Sequence, residues 1–441
     1  MATTGSTIDS DESFAKSAGK QLAIYALYTL IFLTVLIYVF SIVAGRTGGG
    51  ASGGAVDSAN NSITITLRQE PPQLDAGRAT DASSFVVLAH VMEGLLAYDD
   101  NMQLIPGMAE RWEIREDGAT FWIREEARWS NGDPVTAHDF EFAWKRVVDP
   151  DTASEYAFIL YPILNAEAVT QGELPKEMLG VQAVDDRTLE VQFAQPTPYF
   201  AKLVAFVTFL PLQQEFYEST NGRYGADADE MLYNGPYVLD EWVHGASMLW
   251  HKNPGYWGDH KGFLDEIVTA YITTDVNAKL NLFKDGQIAE TQLLAPMLPE
   301  AMEQRWQIDR VMDGTVFFLE FNHREGRVTD NWNFRRAMQL AQNSDELVYK
   351  VLKEAAYLPA VSLFPVWIQG LNGAFRSEYP PVEHKMNLEL AREHLEMARI
   401  ELGIEEFPPI VFLTGDTPIS ILSSEYYQEL YKQNLGLEIR I

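Results

Sequence analysis

The sequence predicts an α/β protein, and three observations carry that reading. Short runs of strand character recur along the chain between stretches whose apolar residues follow helical spacing. The 441 residues exceed what one hydrophobic core usually supports, so two or three domains are expected. The composition is 46% hydrophobic with 10 Trp, 19 Tyr and 23 Phe. That content supplies large cores and excludes disorder over most of the length.

Residues 1–20 are polar and read as a cytoplasmic tail. Residues 21–45 carry no charged side chain. At about 1.5 Å per residue they cover the roughly 30 Å hydrocarbon core of a bilayer. Tyr25, Tyr28 and Tyr38 suit its interfaces. The apolar run is longer than the about 7–15 residues of a cleaved signal peptide, which favours a retained anchor or uncleaved signal. Residues 46–61, rich in Gly and Ser, read as a flexible linker. Gly50-Ala51-Ser52-Gly53-Gly54 matches the G-x-S-x-G nucleophile pattern but has no strand before it and no helix after it, so it is a false match.

The globular part opens with a strand at 63–67, a turn-rich segment at 69–81 and a helix over 84–96. Strands follow at 119–124 and 189–193. Between them Thr136 and Asp139 resemble a capping box, with Asp in place of the usual Glu. Phe140, Ala143, Trp144, Val147 and Val148 then recur at helical spacing as a core stripe. Further strands are expected at 248–251, 267–272 and 316–321. Helices are expected at 334–353 and 388–402, the second bracketed by Asn387 as N-cap and Gly403 as C-cap. A strand at 410–413, a helix at 423–434 and a strand at 437–441 close the pattern. Ending inside a strand pattern, the sequence reads as a C-terminally truncated fragment.

Composition also excludes function classes. The net charge of -30 repels phosphate backbones, so no nucleic acid partner is expected. With no cysteine there is no disulfide, thiolate nucleophile, Cys-held metal or lipobox lipid anchor. None of the eight His residues sits in a metal-ligand motif, and neither a phosphate-binding loop nor a dinucleotide fingerprint occurs. Adjacent acids such as Asp99-Asp100 and Glu125-Glu126 follow from the 63 carboxylates. No catalytic residue, metal site or cofactor is expected, and the chain does not read as an enzyme.

Eight markers occur in a fixed order. They are Pro72-Gln73-Leu74-Asp75, Glu93-Gly94-Leu95-Leu96, Pro106 to Trp112, Arg128 to Ala137, Asp149 to Ser154, Pro196 to Phe200, Asn234-Gly235-Pro236-Tyr237 and Asn253 to Trp257. In this order they resemble the family 5 extracellular solute-binding proteins, the oligopeptide-binding receptors of ABC importers, over about 63–441. Ala76 departs from the Pro usual after Asp75. The markers themselves read mostly as turns, with Gly132 able to take a positive φ.

The resemblance implies a periplasmic binding protein-like fold of class II type, two lobes with an extra domain, here preceded by one N-terminal transmembrane helix. Lobe I would combine 62–92 with 209–314, the extra domain would cover 93–208, and an incomplete lobe II would span 315–441. It further implies that oligopeptides bind in extended form between the lobes, paired main chain to main chain, with their side chains in roomy hydrated pockets. Tyr156 matches a family tyrosine facing the ligand. Thr80, Ala82 and Ser84 lie in the stretch that pairs with peptide backbone. The implied partners are an oligopeptide and the ABC permease subunits of the inner membrane. The chain is expected to act as a monomer, anchored there through 21–45, with its binding part in the periplasm. A family receptor for a metal complex or an oligosaccharide, and a tethered extracytoplasmic hydrolase, stay open as alternatives.

Overall fold

The computed structural model describes residues 54–99, 103–258, 264–310, 314–354, 356–366, 368–381 and 385–441. The tail at 1–20 and the anchor expected at 21–45 lie outside them. Among the described residues no helix is long and apolar enough to cross a membrane. The fold divides into two compact units, one running to Gln292 and the other beginning at Leu293.

The strands of the first unit are β1 (Val56–Asp57), β2 (Ser62–Leu67), β3 (Leu96–Tyr98), β4 (Leu104–Pro106), β5 (Ala109–Ile114), β6 (Gly118–Ile123), β7 (Val181–Asp185), β8 (Thr188–Gln192), β9 (Tyr237–Val243), β10 (Ser247–Lys252) and β11 (Glu266–Ile272). Its longer helices are α1 (Ala82–Val91), α2 (Ala137–Val148) and α3 (Val276–Lys284). A five-stranded sheet takes the order β1-β2-β11-β10-β9, and a four-stranded sheet the order β5-β6-β8-β7. In the larger sheet β2 and β11 run parallel while their outer neighbours are antiparallel. A pair of strands so far apart in sequence needs the long crossover that 68–265 provides.

Local chemistry explains where these elements begin. The linker was expected to run to Asn61, yet β1 is already paired with β2 through Val56 and Ile63. Asp57 closes that turn by accepting the Ala59 and Asn60 amides at 2.9 and 3.3 Å. The central strand β6 is buried along almost its whole length, and its Phe121 is fully buried. Thr136 and Asp139 do form a capping box, the Thr136 amide donating to Asp139 Oδ2 at 2.7 Å. The stripe on α2 is core, as its spacing predicts, with Phe140, Trp144 and Val148 fully buried. Trp144 anchors it by donating Nε1–H to the Phe209 carbonyl at 2.9 Å.

The second unit contains α4 (Trp332–Leu340), α5 (Leu388–Leu402), β12 (Ile410–Val411), α6 (Pro418–Leu435) and β13 (Ile439–Arg440). Strands β12 and β13 are parallel and joined through α6, which makes a β-α-β unit. Phe334, Ala391, Ala398, Tyr431 and Ile439 contribute to one core cluster. Asn387 caps α5 by accepting the Leu390 amide at 3.0 Å, and Gly403 ends it at φ 65°.

Two expectations for this unit are corrected. Residues 316–321 form no strand, because no backbone ladder engages them among the described residues. The single helix expected over 334–353 is broken after Leu340. Asn343 starts a new turn by accepting the Glu346 amide at 3.1 Å, and a π-helical stretch over Leu347–Leu352 follows. An N-cap inside the apolar pattern is a start signal that periodicity alone hides.

Candidate ligand-binding site

The segment leading into α1 is held by buried polar contacts that leave one stretch of backbone free. Leu74 is fully buried and its amide donates to the Gly225 carbonyl at 2.8 Å. Asp75 receives the Arg146 guanidinium from α2 in a bidentate pair, at 3.0 and 2.5 Å, inside the core. The Asp75 carbonyl then accepts the Arg78 and Ala79 amides, which turns the chain outward. Thr80 and Ala82 are exposed. Among the described residues no other backbone group uses the N–H or the C=O of Thr80.

Ser84 plays a different part from its neighbours. It is fully buried, and its Oγ donates to the Gln73 carbonyl at 3.0 Å and contacts Asp81 Oδ2 at 2.5 Å. Asp81 in turn caps α1 by accepting the Ser84 amide at 2.9 Å. Its side chain therefore fastens the helix start, while Thr80 and Ala82 present the surface beside it.

Tyr156 is positioned from the other side by the turn after α2. Lys176 donates to Asp149 Oδ2 at 2.6 Å, and the Asp151 amide donates to Oδ1 at 3.1 Å. Ala153 leaves that turn at φ 54°, so Tyr156 emerges half-buried. Its ring lies 6.1 Å from Phe85 in the first turn of α1 and 5.6 Å, edge to face, from Phe206. Phe85 and Phe206 are 5.6 Å apart, and Phe158 lies 5.9 Å from Tyr156 on its outer side. Tyr156 thus meets the Thr80–Ser84 stretch through Phe85. Phe85, Phe158 and Phe206 were missed in the sequence. Two of them adjoin the chosen residues, while nothing local marks Phe206.

The family-like markers converge elsewhere in the same unit, as a structural junction. Asn234, fully buried, accepts the Glu93 amide with Oδ1 and donates Nδ2–H to the Glu93 carbonyl, both at 2.9 Å. Asn253 donates to the Gly235 carbonyl at 2.9 Å. The Tyr233 amide donates to Ser130 Oγ at 3.1 Å while the Ser130 amide donates to the Tyr233 carbonyl at 2.7 Å. Arg124 donates to the Gly107 carbonyl at 2.8 Å and stacks 3.6 Å from the centre of the Trp257 ring. Gly107 must be glycine, because a Cβ there would lie 2.5 Å from the Gly94 carbonyl oxygen.

Glu93 sits at the centre of this junction and receives the Tyr256 hydroxyl at 2.5 Å. Burial pushes its carboxyl up to about 7, against the opposing pulls of the Tyr256 hydrogen bond and the Arg124 charge. A carboxyl raised in the folded state contributes fully below its unfolded value of 4.5, and that contribution is lost as pH rises through about 7. Glu93→Gln keeps an acceptor for Tyr256 and removes the titration. Its stability is expected to exceed the parent's by about 2 kcal/mol above pH 7 and to converge with it near pH 4. Urea midpoints measured from pH 4 to 8 check this, and parallel curves for the two proteins would refute it.

Two open cavities occur in the first unit, of about 590 and 560 Å³. The first is lined by Glu110, Trp122 and Arg187, the second by Ser130, Tyr233 and Pro254 among others, and neither includes Thr80, Ala82, Ser84 or Tyr156. Among the described residues no group of His, Asp or Glu side chains is placed to hold a metal ion.

Residues 103–441 match the family model of bacterial extracellular solute-binding proteins, family 5 Middle. The chain belongs to that family. Among family 5 relatives, the oligopeptide-binding protein OppA of Bacillus subtilis (strain 168) is 31% identical over 428 residues, covering 93% of this chain and 76% of the relative. The dipeptide-binding protein DppE of the same organism is 30% identical over 400 residues, covering 90% and 72%. A Bacillus anthracis oligopeptide ABC transporter substrate-binding domain superposes with a TM-score of 0.75 at 35% identity, covering 87% of this chain and 75% of that one. Listeria monocytogenes OppA bound to peptide superposes equally well, at 0.75 with 31% identity and coverage of 87% and 76%. These neighbours share the mixed α/β architecture of two-lobed binding proteins, and the relatives are binding proteins rather than enzymes.

Proposed function

We propose that this chain is the extracytoplasmic substrate-binding component of an ABC importer, and that it binds oligopeptides in extended form. The observation that carries the reading is the exposed residue Thr80, whose backbone pairs with no other backbone group among the described residues, near Tyr156 and Phe85. In a family whose relatives are named as peptide-binding proteins, that backbone suits main-chain pairing with an added strand. Backbone hydrogen bonds ignore side-chain identity, so they allow one receptor to take many sequences.

In this reading the peptide passes to permease subunits of the inner membrane. Residues 21–45 anchor the chain there, and the monomeric binding part faces the periplasm. Lobe I comprises 62–92 with 209–314, the extra domain 93–208 and lobe II 315–441. The separate five- and four-stranded sheets of the first unit support the first two of these divisions. Titration calorimetry of the full chain with mixed tri- to pentapeptides tests the function. Saturable binding is the expected result, and no heat with any peptide would refute it.

A further inference from the structure

The family resemblance implies hydrated, permissive side-chain pockets, but the surface next to Thr80–Ser84 is built differently. Phe85 and Phe206 are half-buried and pack against the main core of their unit. Tyr156 rests on both rings, and beyond it Phe158 is 55% exposed. Four aromatic rings therefore step outward from the core to solvent. Among the described residues the Tyr156 hydroxyl makes no hydrogen bond, and its ring is held by packing against Phe85 and Phe206. Aromatic rings offer a large rigid face at little conformational cost, and apolar groups gain more than charged ones by covering it.

Resting on the peptide-receptor reading above, we propose that Phe85, Tyr156, Phe158 and Phe206 form a dry subsite. It receives one apolar side chain of the bound peptide, aliphatic or aromatic, and makes the chain select peptides that carry it. The subsite adjoins the exposed Thr80 backbone through Phe85 in the first turn of α1. An acidic side chain is opposed twice, by loss of its hydration and by the field of a chain with net charge -30.

The experiment is calorimetry of the full chain with tetra-alanine and with variants carrying Phe, Leu, Lys or Asp at each position in turn. At one position Phe and Leu are expected to bind roughly 10- to 100-fold more tightly than Ala, with Asp weakest. Phe158→Ser, at a site too exposed to threaten folding, is expected to shrink the Phe-to-Ala ratio at that position several-fold, and Phe206→Ala to shrink it further. Equal affinity for all residues at all positions would overturn the inference. So would a preference that survives both substitutions unchanged. If no peptide binds at all, the receptor reading fails and the subsite with it, an outcome distinct from indifferent binding.

Discussion

Replacing Asp75 by alanine is expected to cost about 3–5 kcal/mol of folding stability, because it strands a guanidinium in the core. Arg146 is only 9% exposed and Asp75 3%. The pair is bidentate, at 3.0 and 2.5 Å, and the guanidinium also lies 4.5 Å from the centre of the Tyr217 ring. Removing the carboxylate leaves a buried cation without its anionic partner and with only the Tyr217 side chain to meet it, whereas removing both charges does not. The double substitution Asp75→Leu with Arg146→Met is therefore expected to recover most of the loss. Chemical denaturation of the three proteins measures this, and a single-mutant cost below about 1 kcal/mol would refute it. The same carboxylate accepts the Gly77 amide at 3.0 Å, so the turn that presents Thr80 is expected to loosen and peptide affinity to fall with stability.

Asn234→Ala is expected to cost about 2–4 kcal/mol by a different route. Its side-chain amide satisfies both the N–H and the C=O of Glu93, from a position with no solvent exposure. Alanine leaves both groups unpaired in the interior. Water cannot replace the bonds without opening the junction, since Gly235 packs so closely that a Cβ there would lie 2.6 Å from the Val91 carbonyl carbon. Asn234→Asp retains the acceptor but sets a second oxygen against the Glu93 carbonyl and buries an unpaired charge, so a cost at least as large as that of alanine is expected. Thermal melts of the pair against the parent give the order, and an alanine variant as stable as the parent would overturn the assignment.

Much of the fold was legible because its signals are local. The Thr136–Asp139 capping box, the Asn387 and Gly403 caps and the strands near 63–67 and 267–272 each depend on residues a few positions apart. Where neighbouring signals conflicted, the reading failed. Asn343 broke a helix that the apolar pattern ran through, and 316–321 had strand composition without a ladder to join. The candidate site was half legible. Tyr156 and the Thr80–Ser84 stretch came from resemblance to a family, while Phe206 had no local mark at all. Ser84 was chosen for its position in the stretch, yet its hydroxyl is spent on Gln73 and Asp81.

By itself the sequence determined the α/β class, the family and the order of the turns, since turn and cap chemistry is written in neighbouring residues. Only the tertiary structure decided what those turns are for. It brought Asn234 to Glu93, Asp75 to Arg146, and Phe206 to Tyr156 and Phe85, across long separations in sequence. Such pairs form because a buried polar group must find a partner and an aromatic ring must find a packed face. Neither requirement says where along the chain the partner will be.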